Sequence, residues 1–228
     1  MFNKLRSVRE DIRLVQGVAA DERPHLFALA DAVLGSGVAY DCIVTDMARG
    51  YFPGRVIGDV ATAAAVQKGH RQPTLISISN SGSLYHNTAH RTAIKSYLAR
   101  VGAAGWARTL LVSEHTESGA TASLLGTELE EAGTRVDFAT LSAKEGGRYA
   151  DVLGVDHPDS ALYIGRVAQS DPLILSGTLR TATGWEVVPG IAAPCLERGP
   201  SSDRVVGAAH KAFDQITTDY IEARGLNR

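Results

Sequence analysis

Apolar positions recur at two spacings along this chain, and the change from one to the other lays out its elements. Leu5, Val8, Ile12 and Val15 repeat at helical spacing, and a second helical stretch runs over residues 22–34 to the breaker Gly35-Ser36-Gly37. Residues 40–45 read as a short strand, 46–54 as a loop, and 55–68 as a helix that turns Val56, Ile57, Val60 and Ala64 towards a sheet. A second strand spans 74–79, a helix 87–101, a third strand 109–112, a helix 120–132 closed by Gly133, and a fourth strand 135–141. Strand and helix alternate throughout this stretch, which predicts a parallel sheet with helices on both faces. After Leu141 the pattern loosens into short apolar runs punctuated by Gly146-Gly147, His157-Pro158 and Pro189-Gly190, with a C-terminal helix over 202–224. The expectation is one α/β domain over residues 1–228. Its parallel-sheet core covers about 38–141, and 1–37 and 142–228 supply a small hood or cap.

Composition narrows the class. Of 228 residues 44% are hydrophobic and 21% charged, an ordinary globular balance, and the formal net charge of −2 points to neither a nucleic-acid nor a membrane surface. The two cysteines, Cys42 and Cys195, are too few for a disulfide framework, so a reducing cytoplasm is the expected setting. Charged residues interrupt the first eighteen positions, which is no secretory signal, and no apolar run is long enough to span a bilayer.

The chemistry concentrates in Thr109-Leu110-Leu111-Val112-Ser113-Glu114-His115-Thr116-Glu117-Ser118-Gly119-Ala120-Thr121. An apolar strand leads into an acidic turn and then a Ser-Gly-Ala-Thr loop that opens a helix. In an open α/β sheet such a loop sits at the carboxyl end of its strand, where ligands bind. A helix N-terminus offers backbone N–H groups to an anion, Gly119 lets the backbone approach it, and Ser118 and Thr121 add hydroxyl donors. No Gly-x-x-x-x-Gly-Lys-Ser/Thr loop, dinucleotide fingerprint, nucleophile elbow or zinc pattern occurs.

This segment resembles the phosphoribosyl-diphosphate (PRPP) signature of the type I phosphoribosyltransferases, and the surrounding order of elements extends the resemblance over roughly residues 38–141. The resemblance implies transfer of the 5-phosphoribosyl group of PRPP to a nitrogenous base with release of pyrophosphate, a glycosyl transfer of nucleotide metabolism. Residues Ser118, Gly119, Ala120 and Thr121 would hold the 5-phosphate, with His115 beside them. Glu114 would meet the ribose hydroxyls directly or through Mg²⁺. Arg49, Gly50 and Tyr51, after the first sheet strand, would bind pyrophosphate. Glu117 would face the base as an acid or base, and a homodimer is the expected assembly. The chain departs from the signature at Ser113, where a second acid is usual. That departure keeps open a non-catalytic sensor of PRPP or a nucleotide.

Plainer roles stand beside these. Glu114 and Glu117 also suit solvated helix-entry acids, Ser118 suits an N-cap, and His115 suits an exposed loop position. The cluster His86, His90, Arg91 and Lys95 reads either as a lid over diphosphate or as the wet face of a helix. Trp185 and Tyr163 read either as base-stacking rings or as core.

Overall fold

A computed structural model describes residues 7–46, 50–79, 87–169 and 200–226. Five strands form one all-parallel sheet: β1 (Cys42–Asp46), β2 (Thr74–Ile78), β3 (Arg108–Thr116), β4 (Arg135–Lys144) and β5 (Leu162–Ala168), in the order β2-β1-β3-β4-β5. The register sets Cys42 beside Thr74 and Thr109, Ser113 beside Thr140, and Ser142 beside Arg166. Helices α1 (Val8–Gly35), α2 (Tyr51–Lys68) and α6 (Pro200–Ala223) lie on one face, and α3 (Thr88–Arg100), α4 (Ala120–Glu131) and α5 (Tyr149–Asp156) on the other.

Alternation in the strands feeds both layers. Ile43, Leu110, Val112, Ala139 and Leu141 pack under α1, α2 and α6, while Val44, Leu111 and Phe138 pack under α3, α4 and α5. The amino end of the sheet is tied by carboxylates. Asp41 accepts from the Ala107 and Arg108 amides, and the wholly buried Asp137 accepts from Arg108 Nε at 2.7 Å, Tyr40 Oη at 2.9 Å and the Ala161 amide at 2.8 Å. Burial, with Tyr163 and Asp137 alongside, pushes the Tyr40 hydroxyl pKa up, so it stays a donor.

Four features differ from the expectation. The two N-terminal helices are one, opened by a Ser7–Glu10 capping box and continuous through Pro24. The proline is tolerated because it and Ala20, whose carbonyl loses its partner, both lie on the exposed side. Helix α2 begins at Tyr51 rather than Arg55, so Tyr51 to Gly54 form its first turn. Strand β3 continues through Thr116, taking in polar residues that alternation alone assigns to a loop. The sheet also extends past residue 141, through the end of β4 and β5.

Helices α1 and α6 run antiparallel to the strands. Glu22 of α1 meets Arg166 near the carboxyl end of β5, while Gly35 leads back to β1 at the amino end. Helix α6 lies parallel to α2, with Arg55 beside Asp214 at one end and Gln67 beside Gly225 at the other. The first halves of both helices therefore project past the carboxyl edge of the sheet by on the order of 15 Å. Val15, Val18 and Ala19 of α1 and Val205 and Ala209 of α6 are buried in one cluster there. Of the segments expected to form a cap, α1 and α6 thus lie along one face of the sheet and overhang its carboxyl edge on that side, whereas α5 packs on the other face and β5 joins the sheet.

Candidate functional site

Strand order reverses direction of growth between β1 and β3, and the crevice at their carboxyl ends is where an open α/β sheet places a ligand. Helix α2 starts on one side of it and α4 on the other. At α2 the chain passes so close to β3 that position 50 must be glycine. A Cβ there would lie 3.0 Å from the Val112 carbonyl carbon, closer still to its oxygen, and 3.1 Å from the Asp46 nitrogen. The Gly50 amide donates to the Asp46 carbonyl, and no side chain among the described residues caps the helix. Pro53 carries no N–H, so the Tyr51 and Phe52 amides are the donors of this terminus.

Helix α4 opens at Gly119, in the left-handed region at φ +76°, a conformation that favours glycine. Ser118 Oγ accepts a long bond from the Ala120 amide, 3.4 Å. A Cβ at 119 would meet the Tyr149 backbone at 3.1–3.2 Å, so a bulky residue there strikes α5 and does not point into the cleft. Gly119 thus sets the course of the loop, and Ser118 and Thr121 are the positions with side-chain donors.

Between these helix starts the strands end in polar groups. Asp46, Ser79, Glu114, His115, Thr116, Thr140 and Ser142 are all buried, Glu114 and His115 at 6% exposure each. Thr116 Oγ1 donates to Thr140 Oγ1, Thr140 Oγ1 to the Ser142 carbonyl, and half-buried Ser113 to the His115 carbonyl. Glu114 and His115 are therefore buried strand residues at the carboxyl rim, in place of the exposed helix-entry acid and loop histidine considered above. Ser113, at the position of the missing acid, spends its hydroxyl within its own strand.

Glu117 is 58% exposed and forms an ion pair with Lys144, the last residue of β4. A carboxylate beside an anion loop costs less with an ammonium on it. Sequence reasoning did not single out Lys144. The available signal was a cation closing the apolar strand after the signature, hence at the same rim. The turn after β4 presses on this loop, since a Cβ at Gly147 would lie 2.6 Å from the Glu117 carbonyl oxygen. Asp46 escaped notice for a related reason, being assigned to a loop when it ends β1.

The remaining candidates are placed elsewhere. Arg49, His86 and Trp185 lie outside the described residues. His90 is wholly buried near the end of β2, and desolvation lowers its pKa, so the imidazole is neutral at pH 7. It is no part of a wet helix face. Arg91 pairs with the buried Glu128 at 2.6 Å, and Lys95 with Glu128 at 3.6 Å and Glu131 at 2.6 Å, a cluster clamping α3 to α4. Tyr163 lies 3.1 Å from the Tyr40 hydroxyl near the amino end of the sheet, away from the rim.

Among the described residues no group of three or more His, Cys, Asp or Glu could hold a metal. Mg²⁺ commonly needs only one or two carboxylates when substrate phosphates complete its shell, and Glu114 fits that lesser demand. No described helix is long and apolar enough to cross a membrane.

Neither a protein-family model nor a curated protein matches the chain. Among solved structures it is similar to the crystal structure of a hypothetical protein from Neisseria gonorrhoeae with bound ppGpp, with a TM-score of 0.46 and 16% identity over 71% of this chain and 90% of that one.

Proposed function

We propose that the rim between β1 and β3 binds PRPP and that the chain is a phosphoribosyltransferase, moving the 5-phosphoribosyl group to a nitrogenous base and releasing pyrophosphate. One observation carries this reading: two helix starts, at Gly50 and Gly119, stand at the β1–β3 switch point, with buried Glu114 near the carboxyl end of β3. A ligand with an anionic group at each end and a ribose between suits that arrangement.

In this reading Ser118 to Thr121 take the 5-phosphate, and the Gly50–Phe52 terminus, with Arg49, takes the diphosphate. Glu114 holds the ribose hydroxyls. The C1–O bond to diphosphate breaks as the C1–N bond to the base forms, and positive charge develops at C1 near the Glu114 carboxylate. Mg²⁺, held by Glu114 and the substrate's own oxygens, would neutralise charge on the leaving diphosphate. Glu117 takes the proton the base gives up, and Lys144 fixes its carboxylate. The work is positioning and electrostatics, with no covalent nucleophile. A reducing cytoplasm suits a chain whose Cys42 is buried as a thiol with its pKa raised by burial.

Ser113 favours a second reading, a sensor that binds PRPP or a nucleotide without turnover, because one signature carboxylate is absent and its replacement is hydrogen-bonded within the strand. Calorimetry with PRPP and Mg²⁺, followed by pyrophosphate release over a panel of bases, separates the two. Binding with release supports the transferase, binding without release the sensor, and no binding removes both.

A further inference from the structure

We infer that the turn after β4 and helix α5 form a platform that sets the position of the 5-phosphate loop, with Gly147 as its positioning residue. The inference rests on the proposed function and assigns part of that site to a segment outside the signature.

The loop lies backbone to backbone on this platform. A Cβ at Gly147 would stand 2.6 Å from the Glu117 carbonyl oxygen and 3.0 Å from that of Lys144. A Cβ at Gly119 would stand 3.1 Å from Tyr149 Cα and 3.2 Å from the Tyr149 carbonyl oxygen. The Glu117 side chain pairs with Lys144, where the turn begins. Glu117 and Gly119 thus both rest on residues 144–149, and they bracket Ser118. Glycine at 147 is not demanded by its own backbone, which lies outside the left-handed region that Gly146 occupies at φ +68°. The contact demands it.

The platform is itself fixed. The Gly147 amide donates to the Lys144 carbonyl at 3.0 Å and closes the turn, and the Glu145 amide donates to the Ala168 carbonyl of β5 at 2.8 Å. At the far end of α5, Asp156 accepts from Ser123 Oγ, and the buried His157 ring lies 3.1 Å from the Ser123 carbonyl and 3.0 Å from Glu130. Helix α4 is therefore held by α5 at its start and again along its length. Amides at a helix start bind an anion when they converge on it, and a rigid support keeps them converged before the ligand arrives. A carbon needs about 3.3–3.6 Å from a carbonyl oxygen, so alanine at 147 would displace the Glu117 carbonyl, and the loop with it, by roughly 0.7–1 Å.

The test is calorimetric titration of ribose 5-phosphate and, separately, inorganic pyrophosphate into wild type, Gly147→Ala and Gly154→Ala, each well below its thermal midpoint. Gly154, exposed on α5 with nothing within 4 Å of its Cβ direction, is the control. Gly147→Ala is expected to weaken ribose 5-phosphate roughly 10–100-fold, the scale of a misplacement near 1 Å or of a lost bond to a charged group. Pyrophosphate should bind that variant as it binds wild type, and Gly154→Ala should bind both ligands unchanged. A packing role alone would lower the midpoint of Gly147→Ala and leave the ribose 5-phosphate affinity of the folded protein as it was. That result overturns the inference, and so does an equal loss of both ligands. Amide hydrogen exchange of the wild type needs no variant to fold: saturating ribose 5-phosphate should slow exchange at the Gly147 amide, and unaltered exchange there overturns the inference too. Wild type and Gly147→Ala that bind ribose 5-phosphate equally remove the platform and leave the proposed function standing, whereas wild type that binds neither ligand removes both.

Discussion

Replacing Gly50 by alanine should destabilise the protein and disturb the start of α2, although the change adds one methyl group. The backbone there has φ −115°, open to any residue, so the effect isolates contact from conformation. The methyl carbon would sit 3.0 Å from the Val112 carbonyl carbon and 3.1 Å from the Asp46 nitrogen, with the Val112 oxygen nearer still. All three neighbours are backbone atoms of the two central strands and cannot swing aside as a side-chain end would. Overpacking of this kind costs about 1–3 kcal/mol, and rigid neighbours place Gly50→Ala at the upper end. With a urea m-value of about 3 kcal/mol/M, the midpoint should fall by about 1 M. Gly17→Ala is the control. Gly17 is exposed within α1 with nothing within 4 Å of its Cβ direction, so alanine should add up to about 1 kcal/mol of helix stability. A Gly50→Ala midpoint equal to or above wild type would refute the close approach of α2 to β3, and with it the crevice geometry.

Other expectations follow from named pairs. Desolvation raises the Glu22 pKa despite Arg166 at 2.6 Å, so Arg166→Met should cost about 3–5 kcal/mol at pH 7 by leaving a buried charge unpaired. A raised folded pKa favours the native state at lower pH and loses that contribution as pH rises through it. The Arg166→Met penalty should therefore shrink towards about pH 5, and adding Glu22→Gln should flatten that slope in urea titrations. Asp31 has its pKa lowered by Arg224, so Asp31→Asn should cost less than about 1 kcal/mol at pH 7, the pair being half exposed, and that cost should shrink as pH falls below the unfolded value towards the lowered folded one. Under the proposed function, Glu117→Gln should leave PRPP affinity in place and lower turnover roughly 10²–10⁴-fold. Unchanged turnover would make the Glu117–Lys144 pair a surface contact only.

The sheet was legible because its strands are apolar and separated by helical spacing, and Leu110, Leu111 and Val112 could only be a central strand. What the pattern missed shares one cause. At the carboxyl rim the chain buries polar residues, so Ser113 to Thr116 and Asp46 look like loop while completing strands. Lys144 went unread because its partner, Glu117, is adjacent only after β3 and β4 pair. The start of α2 was misplaced because Pro53 and Gly54 break helices elsewhere, yet Pro53 lies in the first turn, where its missing N–H costs nothing, and Gly54 allows contact with Thr45. The single helix α1 hid behind Pro24 for the same kind of reason.

The central claim is that one phosphoribosyl ligand spans the two helix starts at the β1–β3 crevice. The most direct measurement is a titration of PRPP with Mg²⁺ into isotope-labelled protein, followed by backbone amide resonances. The account predicts saturable shifts at Tyr51 and Phe52 together with Ser118 to Thr121, and little change at the amino-end network of Asp41 and Asp137. Shifts confined to one helix start, or centred at the amino end, would contradict it.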